Sequence, residues 1–259
     1  MENKGRTETL VSVIMPAYKC TETICRAIDS ALQQDVALEI LVLNDDSPDD
    51  LDTVMEVYRE EPRVRYLKNE RNLGAAATRN RGVSLARGEY VAFLDSDDWW
   101  EADKLKKQLA RIRQGQAVLC ATARELVTPD GRLTGRTIGV HEEITYRRLL
   151  LHNCINCSSV LMKTEVAREF PMEHEDSHED YITWLKVLKK YKRAVAVNEP
   201  LLKYRLTSGG KSGNKLKSAG MTYRAYRYAG FSGIGAGVLF CTYAVSGVFK
   251  YARAYLIEH

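Results

Sequence analysis

No internal repeat and no low-complexity tract interrupts the 259 residues, and their composition is 45% hydrophobic and 28% charged. Disordered, collagen-like and coiled-coil chains are thereby excluded, and the length suits one large α/β domain or one domain with an appendage. The six cysteines are scattered, and Cys154-x-x-Cys157 has neither a second pair nor clustered histidines at zinc spacing. Small buried thiols are therefore expected, and no thiol-bound metal. The charge-free run in MENKGRTETLVSVIMP is too short for a secretory signal, so reduced thiols are the expectation. Acidic residues are almost missing after residue 200: nine Lys or Arg face Glu258 alone, a net of +8, which leaves −4 for residues 1–200. A basic tail on an acidic body suits phosphates or an anionic membrane surface, or is simply a solvated face.

What is present in the N-terminal half is an alternation of apolar runs and amphipathic segments. Leu10–Met15, Glu39–Leu43, Val64–Leu67, Tyr90–Leu94 and Ala117–Ala121 read as strands. Thr23–Gln34, Leu51–Glu60, Ala75–Ala86 and Ala102–Gln114 read as the helices between them. This order predicts an α/β fold, a mostly parallel sheet with helices on both faces, whose ligands bind beyond the carboxyl ends of the strands. After Thr122 the pattern loosens into a hairpin around Pro129-Asp130-Gly131, a helix at Ile144–Leu151, a strand at Ser158–Met162 and a helix at Tyr181–Lys190. Pro200 is read as opening the basic tail.

Acidic clusters follow two of these strands. Asp95 and Asp97 alternate at a strand end, so both carboxylates can point to one side. Carboxylate oxygens suit a hard divalent cation such as Mg²⁺ or Mn²⁺ that keeps positions open for phosphates. Helix capping explains one or two of Asp97, Asp98, Glu101 and Asp103 but not four clustered acids. Asp45 and Asp46 fit either turn residues capping the next helix or hydrogen-bonding groups for a base or ribose.

Four segments occur together between about residues 10 and 105: SVIMPAY from Ser12, ILVLNDDS from Ile40, NLG from Asn72 with ATRNRG from Ala77, and FLDSDD from Phe93. In this order they resemble the inverting, nucleotide-sugar-dependent family 2 glycosyltransferases of the GT-A fold, of the kind that builds bacterial surface polysaccharides. The resemblance implies that Pro16, Ala17 and Tyr18 cradle the base, and that Asn44 and Asp45 hydrogen-bond it. Asn44 stands where the family carries its first acid, and Asp46 where it carries glycine. It further implies a donor site of Asn72, Gly74, Arg79, Asp95, Ser96 and Asp98, with Asp97 as the metal ligand. His178-Glu179-Asp180-Tyr181 resembles the family's Glu-Asp motif, which makes Asp180 the general base and Glu179 its support. The stretch from Lys203 to Ser212 resembles a flexible loop closing over the donor, so that Arg205 and Lys211 neutralise the leaving diphosphate; a plain Gly/Ser linker is the alternative. His174 and His178 read as loop residues.

Residues 1–212 are accordingly expected to form the catalytic domain, 10–121 binding the nucleotide-sugar and 122–212 the acceptor, and 213–259 to form membrane-associating helices. Phe231–Phe249 carries no charge but includes six small, weakly apolar residues. With Lys, Arg and Tyr at its flanks it suggests helices lying on the cytoplasmic face of the membrane, ahead of a spanning helix or a packed C-terminal helix. The expected partners are a nucleotide-sugar, chiefly a UDP-sugar, a lipid-linked or glycan acceptor, and the membrane surface, with no nucleic acid. Two other readings remain. A sugar-1-phosphate nucleotidyltransferase needs a Gly-rich, Lys-bearing loop where Pro16-Ala17-Tyr18 stands, and an inactive nucleotide-sugar-binding module does not need the intact acids.

Overall fold

The computed structural model describes residues 10–206 and 215–243. Its first half alternates β1 (Val11–Ala17), α1 (Ile24–Leu32), β2 (Leu38–Asn44), α2 (Leu51–Met55), β3 (Val64–Lys68), α3 (Ala75–Leu85) and β4 (Tyr90–Phe93). Then come β5 (Trp99–Trp100), α4 (Lys104–Gly115), β6 (Leu119–Val127), β7 (Leu133–Ile138), β8 (Glu143–Thr145) and α5 (Tyr146–Leu151). The chain continues through β9 (Leu161–Lys163), α6 (Thr164–Glu169), α7 (Glu179–Tyr191), β10 (Arg193–Arg205) and α8 (Lys215–Tyr228), and residues 233–243 are again helical.

All main strands join one sheet in the order β3-β2-β1-β4-β9-β6-β10-β5. The first four of these run parallel, because each is followed by a helix that returns the chain to the same edge. β10 runs parallel to β6, whereas β9 is antiparallel to both β4 and β6, and β7, β8 and β5 also pair antiparallel, so the sheet is mixed. The parallel reading holds for the half built from βα units and for the β6–β10 pair, and the remaining pairs are antiparallel. Strand β10 is the second departure. Pro200 does not begin a tail; it lies within a 13-residue strand, at a register shift between Val197 and Leu202 that leaves its missing N–H outside the ladder.

Alternate residues of β1 face opposite cores. Val13 and Met15 pack with Ile24 and Ile28 of α1 and with Leu105 of α4, whereas Ile14 packs beneath α3. Gly82 is needed on α3, since a Cβ there would lie 2.5 Å from Ile14 Cγ2. Trp184 and Tyr181 of α7 fill the second core, and Met221, Ala225 and Tyr226 of α8 are buried beside α7. The Tyr226 hydroxyl donates to the Leu150 carbonyl, and the Ser177 hydroxyl donates to the Met221 carbonyl. Residues 215–228 thus complete the core around α7, and Ala236 is buried against it. No helix among the described residues is long and apolar enough to cross a membrane.

Candidate active site

The parallel strands end in three loops laced to one another. The Asp45 N–H donates to the Ala17 carbonyl and the Lys19 N–H to Ser47 Oγ, holding the Pro16-Ala17-Tyr18 turn beside the end of β2. Asp46 takes φ +54°, the left-handed conformation that fits the position where the family carries glycine. The buried Asp45 carboxylate accepts from the Leu73 N–H, the Gly74 N–H and the Asn69 amide, each within 3.0 Å, while Asn72 donates to the Asp45 carbonyl. Asp45 therefore shapes the 69–74 loop that opens α3. Asn44 is similarly engaged, donating to the Tyr66 hydroxyl and accepting from the Ser47 N–H. Tyr18 is substantially exposed, as are Lys19, Asp46, Asn72 and Leu73.

Deeper in, Arg79 of α3 joins the two halves. Its guanidinium donates to Asp95 at 2.6 Å and to Glu179 at 3.0 Å, with all three side chains at least two-thirds buried. Burial alone would lower its pKa, but Asp95 and Glu179 raise it well above the ordinary value. The Asp95 N–H donates to Ser158 Oγ. Asp98 is buried and accepts the Arg205 N–H at 2.9 Å, which anchors the end of β10 to the β4 loop.

A cavity of about 490 Å³ opens over this junction, lined by Arg79, Asp95, Asp97, Glu179, Asp180 and Arg205 among others. Burial, then the charge of Asp95, pushes the Asp97 carboxyl up to about 6. Burial, then Glu179, pushes Asp180 up to about 7, which makes it a far stronger base than a solvated carboxylate. Glu179 and Asp180 occupy the first turn of α7, where the helix dipole favours negative charge. Arg205 Nε donates to the Asp97 carbonyl and Nη1 to the Pro129 carbonyl, so its guanidinium lies beside the acidic loop.

Six of the residues expected from the sequence thus share one cavity. Pro16, Ala17, Tyr18, Asn44, Asp45, Asn72, Gly74, Ser96 and Asp98 support the neighbouring loops and do not line it. Lys211 lies outside the described residues. Lys203, expected in a flexible loop, is instead in β10 and ion-paired with Glu125 at 2.8 Å and Glu101 at 3.0 Å. His174 stacks on Tyr228 at 3.6 Å between ring centroids, and His178 Nε2 is 3.3 Å from the Ser218 carbonyl. Arg124, Asn156, Tyr204, Thr222 and Tyr243 also line the cavity and were not expected. The signal was a lone arginine inside β6, obscured because the apolar pattern was read as ending at Ala121.

Asp95 and Asp97 suit a divalent cation: hard oxygen donors share an open cavity, and Asp97 lacks any cation bonded to its carboxylate oxygens among the described residues. No group of three or more His, Cys, Asp or Glu among the described residues could hold a metal alone, so phosphate or water oxygens would have to complete the coordination.

Residues 12–167 match the profile of Glycosyl transferase family 2, and the chain belongs to that family. It is an enzyme, a glycosyltransferase with a mixed GT-A-like sheet. It is 30% identical over 247 residues to the Escherichia coli UDP-Glc:alpha-D-GlcNAc-diphosphoundecaprenol beta-1,3-glucosyltransferase WfaP, covering 95% of this chain and 97% of WfaP. S. aureus TarS 1-349, solved with UDP-GlcNAc, shares the fold with TM-score 0.70 at 20% identity, over 90% of this chain and 71% of TarS 1-349. The mannosyltransferase PcManGT of Pyrobaculum calidifontis, solved with GDP-Man and Mn2+, gives 0.69 at 16% identity, over 98% of this chain and 82% of its own.

Proposed function

We propose that the protein transfers a sugar from a UDP-sugar to a hydroxyl of a polyprenyl-diphosphate-linked glycan during surface-polysaccharide synthesis, inverting the anomeric carbon. The observation that carries this reading is the meeting of Asp97, Asp95, Arg79, Glu179 and Asp180 around one cavity at the strand ends. The named activity of WfaP supports the acceptor class. Tyr18 stacks on the base, and the loops ordered by Asp45 and Asn44 supply backbone and amide contacts. Gly74, Asn72 and Ser96 keep those loops in place, and Asp95 faces the ribose. Arg79 orients Asp95 and Glu179 as a positioning residue.

Asp180 accepts the acceptor hydroxyl proton as that oxygen bonds to the anomeric carbon, and the bond from that carbon to the diphosphate oxygen breaks in the same displacement. Its raised pKa matches the task, since a base near neutrality takes a hydroxyl proton most effectively. A bound Mn²⁺ or Mg²⁺, held by Asp97, would neutralise charge on the departing diphosphate. Arg205 adds a fixed cation at the same loop, and Lys211 is assigned the same role from sequence.

Peripheral attachment to the cytoplasmic face of the membrane belongs to this reading. It is supported by Ile234 and Val238, exposed one helical turn apart, beside the basic α8. Transfer is tested by incubating the protein with UDP-glucose, Mn²⁺ and a GlcNAc-diphosphate lipid and determining the anomeric configuration by NMR. A β-linked product supports inversion. An α-linked product, or hydrolysis without transfer, contradicts it.

A further inference from the structure

Three arginines line the cavity, and two of them are engaged. Arg79 is bonded to Asp95 and Glu179, and Arg205 to the carbonyls of Asp97 and Pro129. Arg124 is not. It projects from β6, where its register neighbours are Leu202 of β10 and Ile138 of β7, and the Asp98 carboxyl acts on it only from beyond ion-pair distance. The adjacent Glu125 is committed to Lys203. Arg124 Nε is shielded from solvent and lacks a hydrogen-bond partner, and no ion pair engages the guanidinium among the described residues. Its guanidinium carbon lies 5.7 Å from the centre of the Tyr204 ring, whose face steers it towards the cavity. Burial lowers its pKa, the reverse of the shift at Arg79.

A shielded guanidinium with no anion bonded to it is costly, and its planar fork is the side chain best matched to a phosphate or carboxylate. We infer that Arg124 is the binding residue for a second oxyanion of the substrates, distinct from the donor diphosphate that Asp97 addresses. The inference rests on the glycosyltransferase reading of this cavity and deepens it. Arg124 stands on the side built by residues 122–243, with Asn156, Tyr204 and Tyr243, the side that the glycosyltransferase reading assigns to the acceptor. The oxyanion is therefore a phosphate of the lipid-linked acceptor or a carboxylate on the transferred sugar.

The test is calorimetric binding by the full chain and by Arg124→Gln and Arg124→Lys. The ligands are farnesyl diphosphate, neutral farnesol, UDP-glucose, UDP-glucuronate, and UDP with Mn²⁺. Farnesyl diphosphate binding reduced at least tenfold in Arg124→Gln, with farnesol and UDP unchanged, assigns the acceptor phosphate. A preference for UDP-glucuronate over UDP-glucose that disappears in the variant assigns the sugar carboxylate. Either outcome upholds the inference. It is overturned if neither anion discriminates the variants, if the unaltered chain binds neither anion, or if UDP binding itself falls tenfold, which would place Arg124 on the donor diphosphate. Should Arg124→Gln melt early, Arg124→Lys decides: it keeps the charge, loses the fork and is expected to bind the anion at least threefold more weakly. Farnesyl diphosphate binding needs no nucleotide, so failure of the unaltered chain to bind UDP counts against the donor reading alone.

Discussion

Arg79 is a side chain at which stability and the proposed chemistry meet. Because it pairs with Asp95 and Glu179 in a buried setting, Arg79→Met strands two carboxylates and is expected to cost about 3–5 kcal/mol in denaturant unfolding. A loss under about 1 kcal/mol would mean that the pairs are solvated. Asp180→Asn should reduce transfer by at least about a thousandfold while leaving UDP binding within a few-fold, because it removes the base and leaves the nucleotide loops intact. The pH profile follows from the same group. As the proposed base, Asp180 would have to be deprotonated to act, so kcat/KM should fall about tenfold per pH unit below about 7. Flat activity down to pH 5 would remove Asp180 from the role of base. Lys104 offers a contrast outside the site: it is fully buried over the Trp100 ring, and burial pulls its amine down to about 7. The unfolded chain binds a proton there that the folded chain does not. Stability should therefore rise with pH between about 7 and 10, and Lys104→Met should flatten that slope in chemical-unfolding titrations.

Among the elements, the βα units were legible because each strand is a short, largely apolar run and because α1 and α4 each show a single apolar face. The acidic ends of β2 and β4 were legible for the same reason. What escaped was assembled from distant pieces. Strand β10 was hidden by Pro200, whose proline signal is correct for a central ladder but is neutralised by the register shift. The roles of Asp45 and Asp98 were also hidden, since both are spent on backbone N–H groups 28 to 107 residues away. Gly74 takes φ +83° at the start of α3, with the Glu175 carboxyl carbon 3.0 Å from where a Cβ would be. Gly74→Ala is expected to cost about 1–3 kcal/mol in thermal or chemical unfolding. An unchanged midpoint would show that the loop tolerates another conformation.

On the scale of the whole molecule, the basic segment after residue 214 is not merely an appendage. α8 is part of the core around α7, which sequence periodicity could not reveal because its buried residues Met221, Ala225 and Tyr226 are interleaved with Arg and Tyr. Removing residues 213–259 should therefore destabilise the fold as well as any membrane attachment, so surface substitutions separate the two effects. Ile234→Ser with Val238→Ser should weaken sedimentation with anionic phospholipid vesicles severalfold at an unchanged melting temperature. Undiminished sedimentation would assign attachment elsewhere.

The proposed function makes one demand above all others, that a nucleoside diphosphate bind together with a divalent cation at Asp97. Calorimetric titration with UDP, GDP, CDP and ADP, each with and without Mn²⁺, measures this directly in the unaltered protein and in Asp97→Asn. UDP should bind with Mn²⁺, weaken at least tenfold without it, and lose that dependence in Asp97→Asn. Absence of binding by all four nucleotides, or UDP binding indifferent to both Mn²⁺ and Asp97, would contradict the assignment of this cavity to a metal-assisted nucleotide-sugar donor.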